Sequence, residues 1–242
     1  MLSWFNQLKQ TFIFNFIEGN RWKYITNGLL VTLEVTLFAL LIGLCIGVVV
    51  AMIRSSYDKN REEMRPGFGR VVMTVLNALA KIYLTVIRGT PVVVQLLIGY
   101  FIIFASSTNT VMVASLVFGI NSGAYITEII RGGIMSVDAG QFEAGRSIGF
   151  NYVLTMRWII IPQAFKAVLP SLANEFIALL KETAVCGYIG LMDLTKGGDV
   201  IRGRTFSAFM PLIAVALIYL LLVLFISWLI GKLERRLRNS ER

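Results

Sequence analysis

The chain has 242 residues, 56% of them hydrophobic and only 15% charged, with a formal net charge of +9. A soluble domain carries about 25% charged residues, so this composition excludes an ordinary soluble enzyme. With no histidine in the sequence, histidine acid–base catalysis, histidine metal ligation and phosphohistidine relays are excluded as well.

In residues 1–26, Trp4, Leu8, Phe12 and Phe16 recur every four positions with polar residues between them. That spacing predicts a helix with one apolar face. A helix lying in the membrane interface and a helix packed on the rest of the protein both satisfy it. The segment lacks the charged-then-apolar order of a cleavable signal peptide. A first span is predicted over 27–53, within which Val35 to Met52 carries no charge. About 20 apolar residues at ~1.5 Å each cross a bilayer, and a helix satisfies its own backbone there.

A polar segment follows over 54–70, broken by Pro66-Gly67. Residues 71–88 read as amphipathic and end at Arg88. The uncharged run 89–127 is too long for one helix and is split by SSTNT at 106–110, which predicts a hairpin of two spans closed by Glu128 and Arg131. Residues 158–180 are apolar but interrupted by Pro162, Lys166, Pro170 and Glu175, so that helix is kinked or begins late. A Gly-rich charged segment over 181–204 precedes the last span, 206–231.

The expected fold is therefore an all-α integral membrane protein of five transmembrane helices with an amphipathic N-terminal interfacial segment. The transmembrane domain runs over 27–232 and a basic tail over 233–242. Thirteen Lys and Arg fall in segments on the C-terminal side of the membrane against seven on the other. The positive-inside bias then puts the N-terminus outside and the C-terminus in the cytoplasm. The basic residues flank spans and do not cluster beside aromatics, so the positive charge does not point to nucleic acid. Cys45 and Cys186 are far apart and make no metal or redox motif; packing is their expected role. No metal site is expected, and no GxxxxGK[ST] phosphate loop is present.

Two stretches carry chemistry. Asp138 and Gln141 form a D-x-x-Q capping box that predicts a short cytoplasmic helix over 139–147. Gly145 and Gly149, four apart, admit close approach of a foreign surface, and Gly149 also suits a sharp turn. Glu143 on such a helix pairs with a basic partner, and Pro162 fixes the re-entry into the membrane. Docking of a second protein and an ordinary inter-span loop both fit these residues. The second stretch is the set of charges at span ends: Arg88, Glu128, Lys181 and Glu182. Ionisable groups at membrane depth face a cavity or a partner. Arg88 offers a planar fork to a carboxylate and Glu128 suits an ammonium, but the two equally suit each other. Arg131 reads as reaching to headgroups. Gly89-Thr90-Pro91 interrupts the helix beside Arg88, either lining a cavity or simply starting the next helix.

Glu143-Ala144-Gly145, Gly149, Ile159 and Pro162 match the spacing E-A-A, three residues, G, nine residues, I-x-L-P, with Gly145 for the third-place Ala and Ile161 for Leu. That pattern resembles ATP-binding-cassette importer permeases. RGTPVVVQ (88–95), GAYITEIIRGGI (123–134), SVDAGQFEAG (136–145) and IPQAFKAVLPSLANEFIALLKET (161–183) look like the polar-amino-acid uptake subfamily, with a departure at KETAVCG (181–187). The resemblance implies that Glu143, Ala144, Gly145, Gly149, Phe150 and Pro162 couple to an ATPase, through helices at about 138–157. It implies a substrate path at Arg88, Thr90, Gln95, Glu128, Lys181 and Glu182. It also implies a bacterial cell membrane, a separate ATPase dimer that binds ATP-Mg, a second permease chain (identical or a sister), an extracytoplasmic amino-acid-binding protein and an amino-acid substrate. The chain itself would then be no enzyme and hold no cofactor. A different class, a non-transporting membrane sensor or regulator on the same scaffold, is the alternative; adjacent genes for an ATPase and a binding protein discriminate.

Overall fold

The computed structural model describes the backbone of residues 2–60 and 66–239 and the side chains of 6–59 and 66–236. Residues 61–65 of the polar segment and the end of the basic tail lie outside the described residues, as does the side chain of Trp4. Every described regular element is helical. In chain order they are α1 (Leu2–Phe12), α2 (Trp22–Asn60), α3 (Phe68–Gly89), α4 (Val92–Ile98), α5 (Thr110–Met135), α6 (Ala139–Ser147), α7 (Tyr152–Thr155), α8 (Ile161–Glu182), α9 (Leu194–Thr205) and α10 (Phe209–Asn239).

Among the described residues four helices are long and apolar enough to cross a membrane: Trp22–Lys59, Phe68–Gly89, Thr110–Met135 and Phe209–Arg236. Three coincide with expected spans. The fourth corrects the reading of 71–88 as merely amphipathic. Its apolar stripe, Val71, Val75, Leu79, Ile82 and Val86, is exposed, while Asn77, Ala80 and Leu84 are buried. The first half of the expected hairpin is correspondingly short: α4 and a π-helical turn (Gly99–Ile103) make an apolar helix over Val92–Ile103. Helical backbone runs unbroken from α7 through a π-helical turn (Met156–Ile160) into α8, so Pro162 follows a widened turn inside a continuous helix, which also runs on through Pro170.

The chain divides into two compact units. Unit 1 comprises Met1–Ala39, Val92–Phe118 and Ile177–Trp228. Its apolar centre joins Phe16, Ile25, Leu194, Ile201 and Val215. Phe16 is buried and Phe12 half exposed, so the C-terminal end of the N-terminal apolar face packs on the protein. Asn15, wholly buried beside it, donates through its amide to Thr11 O at 2.7 Å and accepts from Thr205 Oγ1 at 2.9 Å. The segment is also not one helix to residue 26: α1 gives way to a π turn and a 3-10 turn, and Trp22 already opens α2. Glycines set the helix spacing here. A Cβ on Gly28 would stand 2.5 Å from Asp193 O, and one on Gly197 would run into Tyr24 O. Asp193 caps α9 by accepting from the backbone N–H groups of Thr195 and Lys196, and the N–H of Leu194 donates to Thr32 Oγ1 at 3.1 Å.

Unit 2 comprises Leu40–Pro91, Gly119–Phe176 and Leu229–Arg242. α2 meets α5 through Gly43 and Gly47, whose added Cβ atoms would stand 3.2 Å from Gly123 N and 2.5 Å from Ile126 Cγ2. Tyr83 Oη on α3 donates to Ile120 O on α5 at 2.6 Å. Cys186 is buried, as packing requires, but Cys45 is exposed on α2.

Gly197 and Gly203 share α9, yet a Cβ on Gly203 meets nothing within 4 Å. Gly197→Ala should therefore destabilise the detergent-solubilised protein by about 1–3 kcal/mol through overpacking against fixed backbone. Gly203→Ala should be neutral or gain up to about 1 kcal/mol from helix propensity. Thermal unfolding of both variants checks the pair; equal melting temperatures would contradict the α2–α9 packing.

Candidate substrate path and coupling element

Within unit 2, α2, α3 and α5 assemble a chain of charges. Arg88, in the last turn of α3, has Nη1 4.0 Å from Glu128 Oε1 and its guanidinium 5.6 Å from the centre of the Tyr125 ring. Glu128 is held more closely by Arg131, one turn on along α5, whose Nη1 donates to Oε1 at 3.2 Å. The second nitrogen of Arg131, Nη2, reaches Asp58 Oδ2 on α2 at 2.9 Å. Asp58 lies 3.8 Å from Arg54, which donates to Asn77 Oδ1 on α3 at 2.5 Å. Three cations therefore share two carboxylates. The side chains of Arg54 and Arg131 are 11% and 16% exposed, that of Arg88 45%. The surplus positive charge thus falls to Arg88, the most accessible of the three.

Arg88 and Glu128, which the sequence left open between a substrate and each other, do approach, but at the limit of ion-pair distance. Arg131 corrects the expectation of a headgroup-seeking side chain: it is enclosed and bridges two carboxylates. Asp58 escaped the sequence reading because the pairing spans two helices distant in sequence. Ser122 on α5 donates to Glu175 Oε1 on α8 at 2.8 Å. Glu175, read only as an interruption of its span, is thereby a hydrogen-bonded group within unit 2.

The other substrate-path candidates fall elsewhere. Thr90 ends α3, and its hydroxyl donates to Val86 O at 2.9 Å, the bland helix-end geometry. Gln95, on α4, and Lys181 and Glu182, at the end of α8, belong to unit 1. There α4 packs against the 3-10 segment Thr183–Ile189 that follows Glu182.

The short helix of the candidate coupling element forms over the expected residues. α6 covers 139–147, and Asp138 caps it by accepting from Gly140 N at 2.6 Å. The reciprocal half of the capping box differs: Gln141 Oε1 accepts from Gln163 Nε2 at 3.2 Å, tying α6 to the start of α8. Gly149 has φ +84° and open space around its Cβ position, the left-handed turn that favours glycine. Gly145 corrects the expectation of a foreign contact there. It is buried, and a Cβ would lie 2.7 Å from Thr155, so its smallness admits this chain's own α7. Phe150 N closes the turn on Gly145 O at 3.0 Å. Glu143, Ala144 and Pro162 are exposed. Beside α6 lies a cavity of about 370 Å³ lined by Asp58, Lys59, Arg131, Phe142 and Tyr152 among others. Lys59 Nζ sits 2.7 Å from the centre of the Phe142 ring, and burial raises the Tyr152 phenol above its ordinary range against an opposing hydrogen bond with Ser56.

These helices, with charges paired between them and a short helix outside the spans, define a polytopic α-helical membrane protein. Residues 67–239 match the family described as binding-protein-dependent transport system inner membrane component, and the chain belongs to that family. It is 34% identical over 217 residues to the glutamine transport system permease protein GlnP of Escherichia coli (strain K12), covering 85% of this chain and 90% of that one. It is 34% identical over 221 residues to the arginine transport system permease protein ArtQ of Bacillus subtilis (strain 168), covering 90% and 94%. Among solved structures, the crystal structure of an amino acid ABC transporter with histidines superposes with a TM-score of 0.80 at 38% identity, over 91% of this chain and 98% of that one. An inward-facing MetNI methionine ABC transporter shares the fold, with a TM-score of 0.72 at 18% identity over 88% and 95%. The chain is thus an inner-membrane permease subunit of an ATP-binding-cassette importer, a transport component whose ATPase is a separate subunit.

Because Arg131 holds Glu128 more closely than Arg88 does, the two ends of the 4.0 Å pair should respond differently. Glu128→Gln weakens a charge-assisted bond to an enclosed arginine and should cost about 1–3 kcal/mol of stability. Arg88→Lys should stay within about 0.5 kcal/mol. Melting temperatures in detergent check this; an equal loss in both variants would mean that the Arg88–Glu128 pair is the structural one.

Proposed function

We propose that the chain forms the translocation path for a polar amino acid handed over by an extracytoplasmic solute-binding protein. It works with a second permease chain, identical or a sister, and with a dimeric ATPase that binds ATP-Mg. The glutamine and arginine systems among its relatives and the amino acid transporter among its structural neighbours support this substrate class. The single observation that carries the site is Arg88: an accessible guanidinium whose carboxylate partner stands 4.0 Å off. A planar fork suits an amino-acid carboxylate. Glu128, held by Arg131 at 3.2 Å, then stands beside the substrate ammonium. Thr90 of unit 2 and, by the family resemblance, Gln95, Lys181 and Glu182 of unit 1 are further candidates for contact with the substrate.

α6 and the Gly149 turn are the proposed seat on the ATPase, with Glu143 and Ala144 on the exposed face. ATP-driven closure of the ATPase would then move a two-state element in the permease. For orientation, we take α8, 22 residues long, as a fifth crossing beside the four long apolar helices. An odd number separates the termini, and the excess of Lys and Arg puts the C-terminus in the cytoplasm.

The test is uptake of a panel of labelled amino acids by the permease, ATPase and binding protein reconstituted in vesicles. ATP-dependent uptake of one or a few polar amino acids is expected, and no uptake of any would overturn the reading. In that system Gly149→Leu should abolish ATPase association or uncouple hydrolysis from uptake, since a Leu at φ +84° both strains the turn and fills the open space. Wild-type uptake by this variant would remove the docking assignment. The orientation has its own measurement: a single cysteine at position 240, outside the described residues, in a chain lacking Cys45 and Cys186. An impermeant thiol reagent should label it only after the cells are opened, and labelling in intact cells would reverse the topology.

A further inference from the structure

The charge chain of unit 2 has two ends. One is Arg88, the proposed substrate contact. The other is Asp58, whose neighbour Lys59 rests on Phe142 of α6, with 2.7 Å from Nζ to the ring centre. Between them stand Glu128 and Arg131, at 4.0, 3.2 and 2.9 Å in succession. Glu128 is shared: it answers Arg131 and, more weakly, Arg88. An arginine that reaches two carboxylates through separate nitrogens transmits a change at one to the other, because its planar fork cannot turn toward one without altering its angle to the second.

We infer that Asp58 and Arg131 are positioning residues that relay occupancy of Arg88 to the coupling helix α6. When a carboxylate binds Arg88, that arginine no longer draws on Glu128. Glu128 then exchanges Arg88 for the substrate ammonium, the guanidinium of Arg131 turns with it, and Asp58 at its other edge shifts the end of α2. Lys59 carries the shift to Phe142. No bond is made or broken and no proton moves; the relay is an exchange of ion-pair partners. Arg54 and Asn77 anchor Asp58 from the far side, so the displacement is limited to the segment next to α6. The inference rests on the reading of Arg88 as the substrate contact.

The experiment uses the whole reconstituted importer and reads ATP hydrolysis stimulated by the binding protein saturated with glutamine, or with arginine where glutamine is not carried. Asp58→Asn should lower the stimulated kcat by about fivefold or more, the span expected for a coupling between sites. The half-saturating concentration of loaded binding protein should stay within about twofold, and Asp58→Glu should restore most of the rate. Arg131→Lys keeps the charge but loses the fork, and should show the same loss in kcat alone. Wild-type stimulation in Asp58→Asn, or a change in half-saturation with kcat intact, overturns the relay. So does failure of both Asp58→Asn and Arg131→Lys to insert, because the pair would then be structural. The underlying site reading fails separately: Arg88→Lys would leave substrate concentration dependence unchanged.

Discussion

Inside a bilayer, apolar helices gain nothing from meeting each other in place of lipid, so their association depends on close packing and on polar contacts between them. Glycine supplies both here. Gly43 and Gly47 let α2 lie against Gly123 and Ile126 of α5 at distances that admit no further carbon. Thr127 Oγ1, which donates to Gly123 O of its own helix at 2.7 Å, is thereby also brought within 3.5 Å of Gly47 O on α2. The same proximity, further along the two helices, brings Asp58 of α2 within reach of Arg131 of α5. Unit 1 repeats the device with different partners: Gly28 and Gly197 admit backbone from facing elements, and a hydroxyl on α2 then satisfies the N–H of Leu194 at the start of α9.

The expectation for α3 shows why amphipathic periodicity alone misreads such a protein. Its apolar stripe reads as amphipathic, and in water such a stripe turns inward and the polar face outward. In a membrane the stripe faces lipid and the interrupting polar residues turn toward protein. Asn77, buried and accepting from Arg54, is therefore what marks the inner face of α3. The long apolar runs of α2, α5 and α10 raise no such ambiguity, because a run that is apolar on all sides is a span whichever face packs.

The short helix α6 was the most legible part, since its signals are local. Asp138 followed by a polar helix start needs only three residues, and the helix begins and ends where those residues predict. Gly149 was legible because a positive φ is a property of one residue. Gly145 was not: whether a small residue admits a partner or its own chain depends on where Thr155 lies after α7 has formed. Arg131 was misread for the same reason. A lone arginine at a span end looks free to reach headgroups, and only the pairing of α2 with α5 reveals the two carboxylates that hold it.

Charge counting connects these observations to transport. A cation at membrane depth persists only where something compensates it. The two enclosed arginines of the charge chain, Arg54 and Arg131, are matched by its two carboxylates, Asp58 and Glu128. Among the described residues, Arg88 is then balanced by a share of Glu128 and by the electron-rich face of Tyr125, and its exposure tolerates that. In the proposed reading a substrate carboxylate would answer Arg88, while the substrate's own ammonium leaves the net charge of the group unchanged. Binding at this proposed contact would supply the anion that the chain of charges leaves out and, for a zwitterion, would add no net charge. It does so at the most accessible of the three arginines, from which the anion can leave again.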